Sequence, residues 1–228
     1  VEKPVETIYT AINGSRNVLE FAKNKRLEGM VYLSSLEIYG VNEKENIKEE
    51  DYGYIDILNP RSSYSESKKM VETMCISYGT EYGVPVKIAR LAQTFGAGVS
   101  ISDNRVFAQF AKAIINKENI ILHTKGETKR NYCYTTDAVR GIFTILTKGE
   151  NNNAYNVANK NTYCSISEMA HLLENEYTKV EYKIDEINRG YNPTVKIALN
   201  TEKLNALGWE AKVNLKEMFD RLIMNFGK

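Results

Sequence analysis

Histidine is nearly absent: His123 and His171 are the only two in 228 residues. A Ser-His-Asp hydrolase or a multi-histidine metal centre therefore has few parts to be built from. No metal is expected, and any catalysis must rest on Tyr, Ser, Lys or carboxylates. Cysteine is almost as sparse. Cys75, Cys133 and Cys164 are odd in number and widely spaced, which fits neither a disulfide framework nor a zinc site. They read as reduced structural thiols. No apolar run approaches the roughly 20 residues that span a bilayer, and the opening VEKPVETIYT lacks the charged-then-apolar pattern of a signal. The expectation is no membrane partner and a cytoplasmic location. Charge of one sign is lacking too: 30 Lys plus Arg stand against 29 Asp plus Glu. A surface so balanced does not draw a polyanion by counterion release, so nucleic acid is not an expected partner. Internal repeats and low-complexity tracts are missing, and so is any G-x-G-x-x-G or G-x-x-G-x-x-G. Gly96-Ala97-Gly98 follows a predicted strand but opens no helix suited to a pyrophosphate loop.

What remains is an ordinary globular composition, 43% hydrophobic and 26% charged, enough to bury a core as one large domain or two small ones. Ile8, Ala11, Ile12, Val18, Leu19 and Ala22 keep helical spacing, and the short run Met30 to Leu33 reads as a buried strand. Ser63 and Glu66 form an S-x-x-E capping box, which predicts a helix from there toward Tyr82 and then a strand over Val84 to Leu91. Further helices are predicted near Val106 to Asn116, Asp137 to Leu146, Ser165 to Glu174 and Leu215 to Phe226, with a second capping box at Ser165 and Glu168. Short strands fit Ile120 to Leu122, Tyr155 to Val157, Val180 to Ile184 and Lys196 to Leu199. Such alternation predicts an α/β fold, a parallel sheet with helices on both faces. After Gly96 the loops lengthen, and those segments are expected to cap the C-terminal edge of the strands, where open α/β sheets bind ligands.

Two constellations carry chemistry. Tyr64 and Lys68 stand four apart on one helix face, in reach of a common ligand. With 15 Tyr and 21 Lys in the chain, roughly one such spacing arises by chance, so context must support it. Tyr64 falls in the first helical turn, where the helix dipole and a nearby ammonium both favour the phenolate a base requires. The plain alternative is a surface pair on an amphipathic helix. The second constellation is MVYLSSLEIYG over residues 30–40, a strand ending in the hydroxyl pair Ser34 and Ser35, with Glu37 two residues on. These side chains fall at the ligand edge of the sheet, unless the pair is simply a serine turn.

Together, Ser35 in Ser-Ser-x-Glu-x-Tyr-Gly and Tyr64-x-x-x-Lys68 some 29 residues later resemble the extended short-chain dehydrogenase/reductase family, in its nucleotide-sugar epimerases, dehydratases and decarboxylases. Further segments are similar in the same order. They are Asn13 to Leu19, Asn59 to Tyr64, Ala89 to Gly96, Gly126 to Asp137, Tyr155-Asn156-Val157 and Leu207-Gly208-Trp209, so the resemblance runs over residues 13 to 209. It implies a Rossmann-type doubly wound parallel sheet, with residues 1–100 and 131–160 in a partial dinucleotide-binding domain. Residues 101–130 and 161–228 would form a small mixed α/β substrate domain. Because the Gly-rich phosphate loop is missing, the chain is expected to begin after about the first third of that fold, and by itself to be weak in cofactor binding and activity.

The same resemblance implies roles. Tyr64 would be the general base, Lys68 would bind the nicotinamide ribose and favour the phenolate, and Ser35 would hydrogen-bond the same sugar oxygen. Tyr64, Lys68 and Ser34 would contact the cofactor, NAD, with NADP left open because the discriminating segment is absent. Ser35, Gln93, Arg105, Arg130 and Arg189 are the expected contacts to a nucleotide sugar, with Arg130 pairing with its diphosphate and a solvated turn as the competing reading. Leu36 stands where dehydratases carry an acid, which argues against 4,6-dehydration, and Gln93 stands where the family has Asn. The expected activity is C4 epimerisation through a 4-keto sugar. Decarboxylation or dehydration using Glu37 is the rival within the family, and a non-catalytic sugar-nucleotide-binding protein is the rival outside it. Helices near 8–26 and 64–82 would pair in a homodimer.

Overall fold

The computed structural model describes residues 3–42, 44–174, 176–184 and 194–227. Helix α1 (Pro4–Lys25) leads into strand β1 (Met30–Ser35), and helix α2 (Ser63–Tyr82) leads into β2 (Val86–Leu91). Then follow β3 (Gln93–Phe95), α3 (Val106–Ile115), β4 (Ile120–Leu122), β5 (Lys129–Tyr134), α4 (Thr135–Lys148) and β6 (Ala154–Val157). The remaining elements are β7 (Asn159–Ser165), α5 (Ile166–Glu174), β8 (Val180–Tyr182), β9 (Lys196–Ile197), α6 (Glu202–Asn205) and α7 (Leu215–Phe226).

Strands β1, β2 and β6 form a parallel sheet in that order, with Met30 opposite Val86 and Ile88 opposite Ala154. Helices cover both faces, as parallel sheets require. On one face Leu19 and Ala22 of α1 and Val71 and Cys75 of α2 pack on Val86 and Ile88. On the other, Ala138 and Ile145 of α4 meet Ala89, Val157 and Trp209. A second sheet runs β3, β5, β7, with β9 also on β5; β7 is antiparallel to β5 and the others are parallel to it. Its core is aromatic: Phe95 stacks on Phe107 at 4.4 Å between ring centroids and tilts against Phe219 at 5.2 Å. Strands β4 and β8 make a short parallel pair at its side.

The predicted capping box at Ser165 forms in full: Glu168 N–H donates to Ser165 Oγ at 3.0 Å and Ser165 N–H to a Glu168 carboxylate oxygen at 2.7 Å. The one at Ser63 does not. A 3-10 turn over Pro60–Ser62, capped by Asn59, has already turned the chain, and Ser63 is itself helical at φ −50° and ψ −39°. A helical residue cannot serve as the N-cap, so Ser63 Oγ is left buried without a partner. Strands β3, β5 and β7 go beyond the expected elements: Lys129–Tyr134 and Asn159–Ser165 carry charged and polar residues without clean alternation, and Gln93–Phe95 is only three residues long. The three cysteines are free, and burial pushes their thiols up to about 12, as inert structural thiols require. Among the described residues no helix is long and apolar enough to cross a membrane.

Helix α2 stops at Gly83, whose φ of +68° lets its N–H reach the Gly79 carbonyl. A methyl there would meet nothing within 4 Å, so the cost of Gly83→Ala is backbone strain alone. Urea unfolding should show a loss of about 1 kcal/mol without a change in m-value.

Candidate functional site

The site begins where the parallel strands end. At Ser35 the chain leaves β1 and tightens into a 3-10 turn, Leu36–Tyr39, in which Glu37 N–H donates to Ser35 Oγ at 3.2 Å. That contact occupies a lone pair of Ser35 and leaves its proton to be donated outward. The turn is held close against the segment beyond it: at Gly40, φ +59°, a Cβ would lie 2.2 Å from the Tyr54 carbonyl oxygen, so only glycine fits.

Helix α2 supplies the next two groups. Tyr64 falls in its first turn, 41% exposed. One turn on, Lys68 donates to the Leu33 carbonyl at 2.7 Å and lies 5.8 Å from the Tyr64 ring centroid and 4.9 Å from that of Tyr32. Burial lowers the Lys68 pKa, and the Glu72 carboxylate opposes that shift. Tyr64 lines two cavities. One, of about 520 Å³, also takes in Ser34, Ser35, Glu37, Arg61, Gln93, Thr94 and Arg105. The other, of about 440 Å³, is bounded by Thr7, Thr10, Ser67 and Lys68.

The sequence-predicted residues thus divide. Ser34, Ser35, Glu37, Tyr64, Gln93 and Arg105 share one cavity, and Lys68 stands behind Tyr64 on the other. Ser34 Oγ is buried with no partner. Arg105 is locked to Asp103 through Nε and Nη2, the latter at 2.6 Å. Arg130 is not on a solvated turn: it lies in β5, its side chain 14% exposed, and Nη1 meets Glu37 Oε1 at 2.6 Å. It borders a third cavity of about 450 Å³ with Phe110, Ile121, Gly126 and Thr128. Arg189 lies outside the described residues.

Sequence reasoning missed the network beneath the site. Arg90, 1% exposed in β2, donates to both Glu72 oxygens, the shortest contact being 2.7 Å, and to the Tyr39 hydroxyl at 3.0 Å. It also donates to the Glu49 carbonyl at 2.5 Å and to the Tyr52 hydroxyl at 3.0 Å. Tyr39 in turn donates to Asn156 Oδ1 at 2.6 Å, and burial raises its pKa. The signal was an arginine inside the apolar run Val86–Leu91 and a glutamate one turn beyond Lys68.

The groups that would face a dinucleotide fit it in part. Lys68 offers an ammonium and Tyr64 a hydroxyl beside the 440 Å³ cavity, donors suited to a ribose. No Gly-rich turn for a pyrophosphate occurs in the sequence.

Removing one member of the buried ion pair leaves the other uncompensated. Glu72→Gln should therefore cost about 3 kcal/mol in denaturant unfolding, with Glu72→Gln/Arg90→Met costing less than the sum of the two single changes.

Known proteins resemble this chain in sequence and in fold. UDP-glucuronic acid decarboxylase 5 of Arabidopsis thaliana is 29% identical over 215 residues, 94% of this chain and 62% of its own length. The chain thus spans less than two thirds of that relative. The structure of UDP-glucose 4-epimerase from Thermotoga maritima with UDP-glucose superposes with a TM-score of 0.84 at 24% identity, covering 99% of this chain and 72% of that one. dTDP-glucose 4,6-dehydratase from Bacillus anthracis, in complex with NAD, superposes at 0.82 and 21% identity, covering 97% and 69%. These likenesses show the Rossmann-type fold. The model of the NAD dependent epimerase/dehydratase family matches residues 1–158, well over half of the chain, and the chain belongs to that family.

Proposed function

We propose that this chain carries the catalytic groups of a nucleotide-sugar epimerase that works through a 4-keto sugar. The observation behind this reading is that Ser35 and Tyr64 line one cavity at the C-terminal edge of a parallel sheet while Lys68 backs Tyr64 from the next turn. Tyr64 takes the proton from the sugar C4 hydroxyl. Ser35, its lone pair already engaged by Glu37 N–H, donates its own proton to the same oxygen. The Lys68 ammonium offsets the negative charge that develops on the Tyr64 oxygen. A nicotinamide held beside Tyr64 and Lys68 would supply the acceptor for the C4 hydride and the means of its return. Return to the opposite face requires the 4-keto sugar to turn over within the cavity. Leu36 offers no proton to a leaving hydroxyl, which disfavours dehydration.

One observation favours a second outcome from the same intermediate. The relative cited above is named a UDP-glucuronic acid decarboxylase. Oxidation at C4 turns a uronic acid into a β-keto acid, whose C5–C6 bond breaks with release of carbon dioxide and leaves an enolate to be protonated at C5. Glu37, in the Tyr64 cavity, is the candidate proton donor.

Incubation of the protein that carries this chain with NAD and either UDP-glucose or UDP-glucuronic acid separates the readings. The first predicts a C4 epimer without loss of carbon, and the second predicts carbon dioxide and a UDP-pentose. Tyr64→Phe should lower kcat by about 10²- to 10⁴-fold in either case. Nucleotide-sugar binding with no turnover would leave only the non-catalytic reading.

Helices α1 and α2 would also form a two-fold helical interface, since Val5, Tyr9, Phe21 and Met70 leave more than half of their surface exposed. Sedimentation should show a dimer that dissociates when Tyr9 and Phe21 are replaced by Lys.

A further inference from the structure

The Glu37–Arg130 ion pair joins residues 93 positions apart and stands between two cavities. Glu37 lines the one that holds Ser35 and Tyr64, and Arg130 borders the one formed by α3, β4 and the turn at Gly126. From this position we infer that the pair is an exchangeable latch. The diphosphate of a nucleotide ligand entering the second cavity takes the guanidinium, and the Glu37 carboxylate is released into the cavity of Tyr64. The inference rests on the nucleotide-sugar reading above.

Strength and geometry both favour exchange. The pair is one short contact, from Nη1 to a single carboxylate oxygen at 2.6 Å, not the two-point fork that a guanidinium makes with a phosphate. The Arg130 side chain is 14% exposed, but that of Glu37 is 38% exposed, so water reaches the carboxylate and screens the pair toward the roughly two- to fivefold range, about 0.4 to 1 kcal/mol, of surface ion pairs. A diphosphate offers more charge and two acceptor edges for the same donors. Arg105 makes the contrast. Its guanidinium is 50% exposed but makes three contacts with the two oxygens of Asp103, two residues away in sequence, so a ligand would have three contacts to replace there against one at Arg130.

The tether of Glu37 decides where the released carboxylate goes. It rides on the 3-10 turn directly after Ser35, with its backbone N–H on Ser35 Oγ. Glu37 already lines the cavity of Tyr64, so that cavity is where the freed carboxylate stays. Ligand binding at one cavity is thereby coupled to the release of an acidic group in the other, before any sugar chemistry begins.

The test uses calorimetric titration of UDP, with uridine as the probe that lacks phosphate. Glu37→Gln removes the competitor for Arg130 and should tighten UDP by about two- to fivefold while leaving uridine unchanged. Arg130→Ala should weaken UDP, and Glu37→Gln/Arg130→Ala should bind no more tightly than Arg130→Ala. A merely structural Glu37 would not raise affinity when replaced. Should Glu37→Gln fail to fold, Glu37→Asp shortens the reach to Arg130 and should shift UDP affinity in the same direction. Unchanged or weaker UDP binding by the Glu37 variants, with Arg130→Ala still impaired, overturns the latch and leaves the nucleotide-sugar reading standing. Absence of UDP binding by every form, the parent chain included, overturns both.

Discussion

A charged guanidinium buried in the middle strand of the parallel sheet governs the rest of the architecture. Arg90 has almost no contact with water, and an ion so placed is tolerated only with compensating charge and hydrogen bonds around it. The four partners it recruits come from three different pieces of the site. Glu72 comes from α2, Tyr39 from the 3-10 turn after Ser35, and Glu49 and Tyr52 from the loop between them. Because the guanidinium is planar and its donors point in fixed directions, these pieces are held in one mutual arrangement. Glu72 lies one and two turns beyond Lys68 and Tyr64 on the same helix, so anchoring Glu72 sets the rotation of α2 over the strand ends.

That anchoring explains how one sheet edge serves two cavities. The helix start presents Tyr64 between them, Lys68 reaches back to the Leu33 carbonyl, and the strand end delivers Ser35 from the other side. A hydroxyl with one lone pair engaged, a tyrosine and an ammonium then gather at one helix start, the arrangement on which the proposed proton transfer from a sugar hydroxyl relies. Glu37 adds a carboxylate to the wall of the cavity that holds Ser35, and its partner Arg130 faces the neighbouring cavity.

Much of this was legible in the residues. The helices from Leu215 and Val106 and the strand from Ile120 follow their apolar periodicity, and the capping box at Ser165 is realised atom for atom. The Tyr64 and Lys68 spacing needs only helical geometry to put both on one face. Other features depend on partners far away in sequence and left no local mark. The ion pair between Glu37 and Arg130 is one; strand β5, whose polar Lys129 and Arg130 conceal its place at the centre of the second sheet, is another. Ser63 misled because a capping box read from spacing cannot know that Asn59 and Pro60 have already begun the turn.

Reversible hydride removal from sugar C4, assisted by Tyr64 and Lys68, is the central proposal. Rapid mixing of the NAD-loaded protein with a nucleotide sugar, followed by the absorbance of reduced nicotinamide within a single turnover, tests it most directly. A transient that rises and decays with the parent protein, is lost with Tyr64→Phe and is slowed when the sugar carries deuterium at C4 is the predicted result. Sugar turnover with no reduced nicotinamide at any time, or an unaltered transient with Tyr64→Phe, would contradict it.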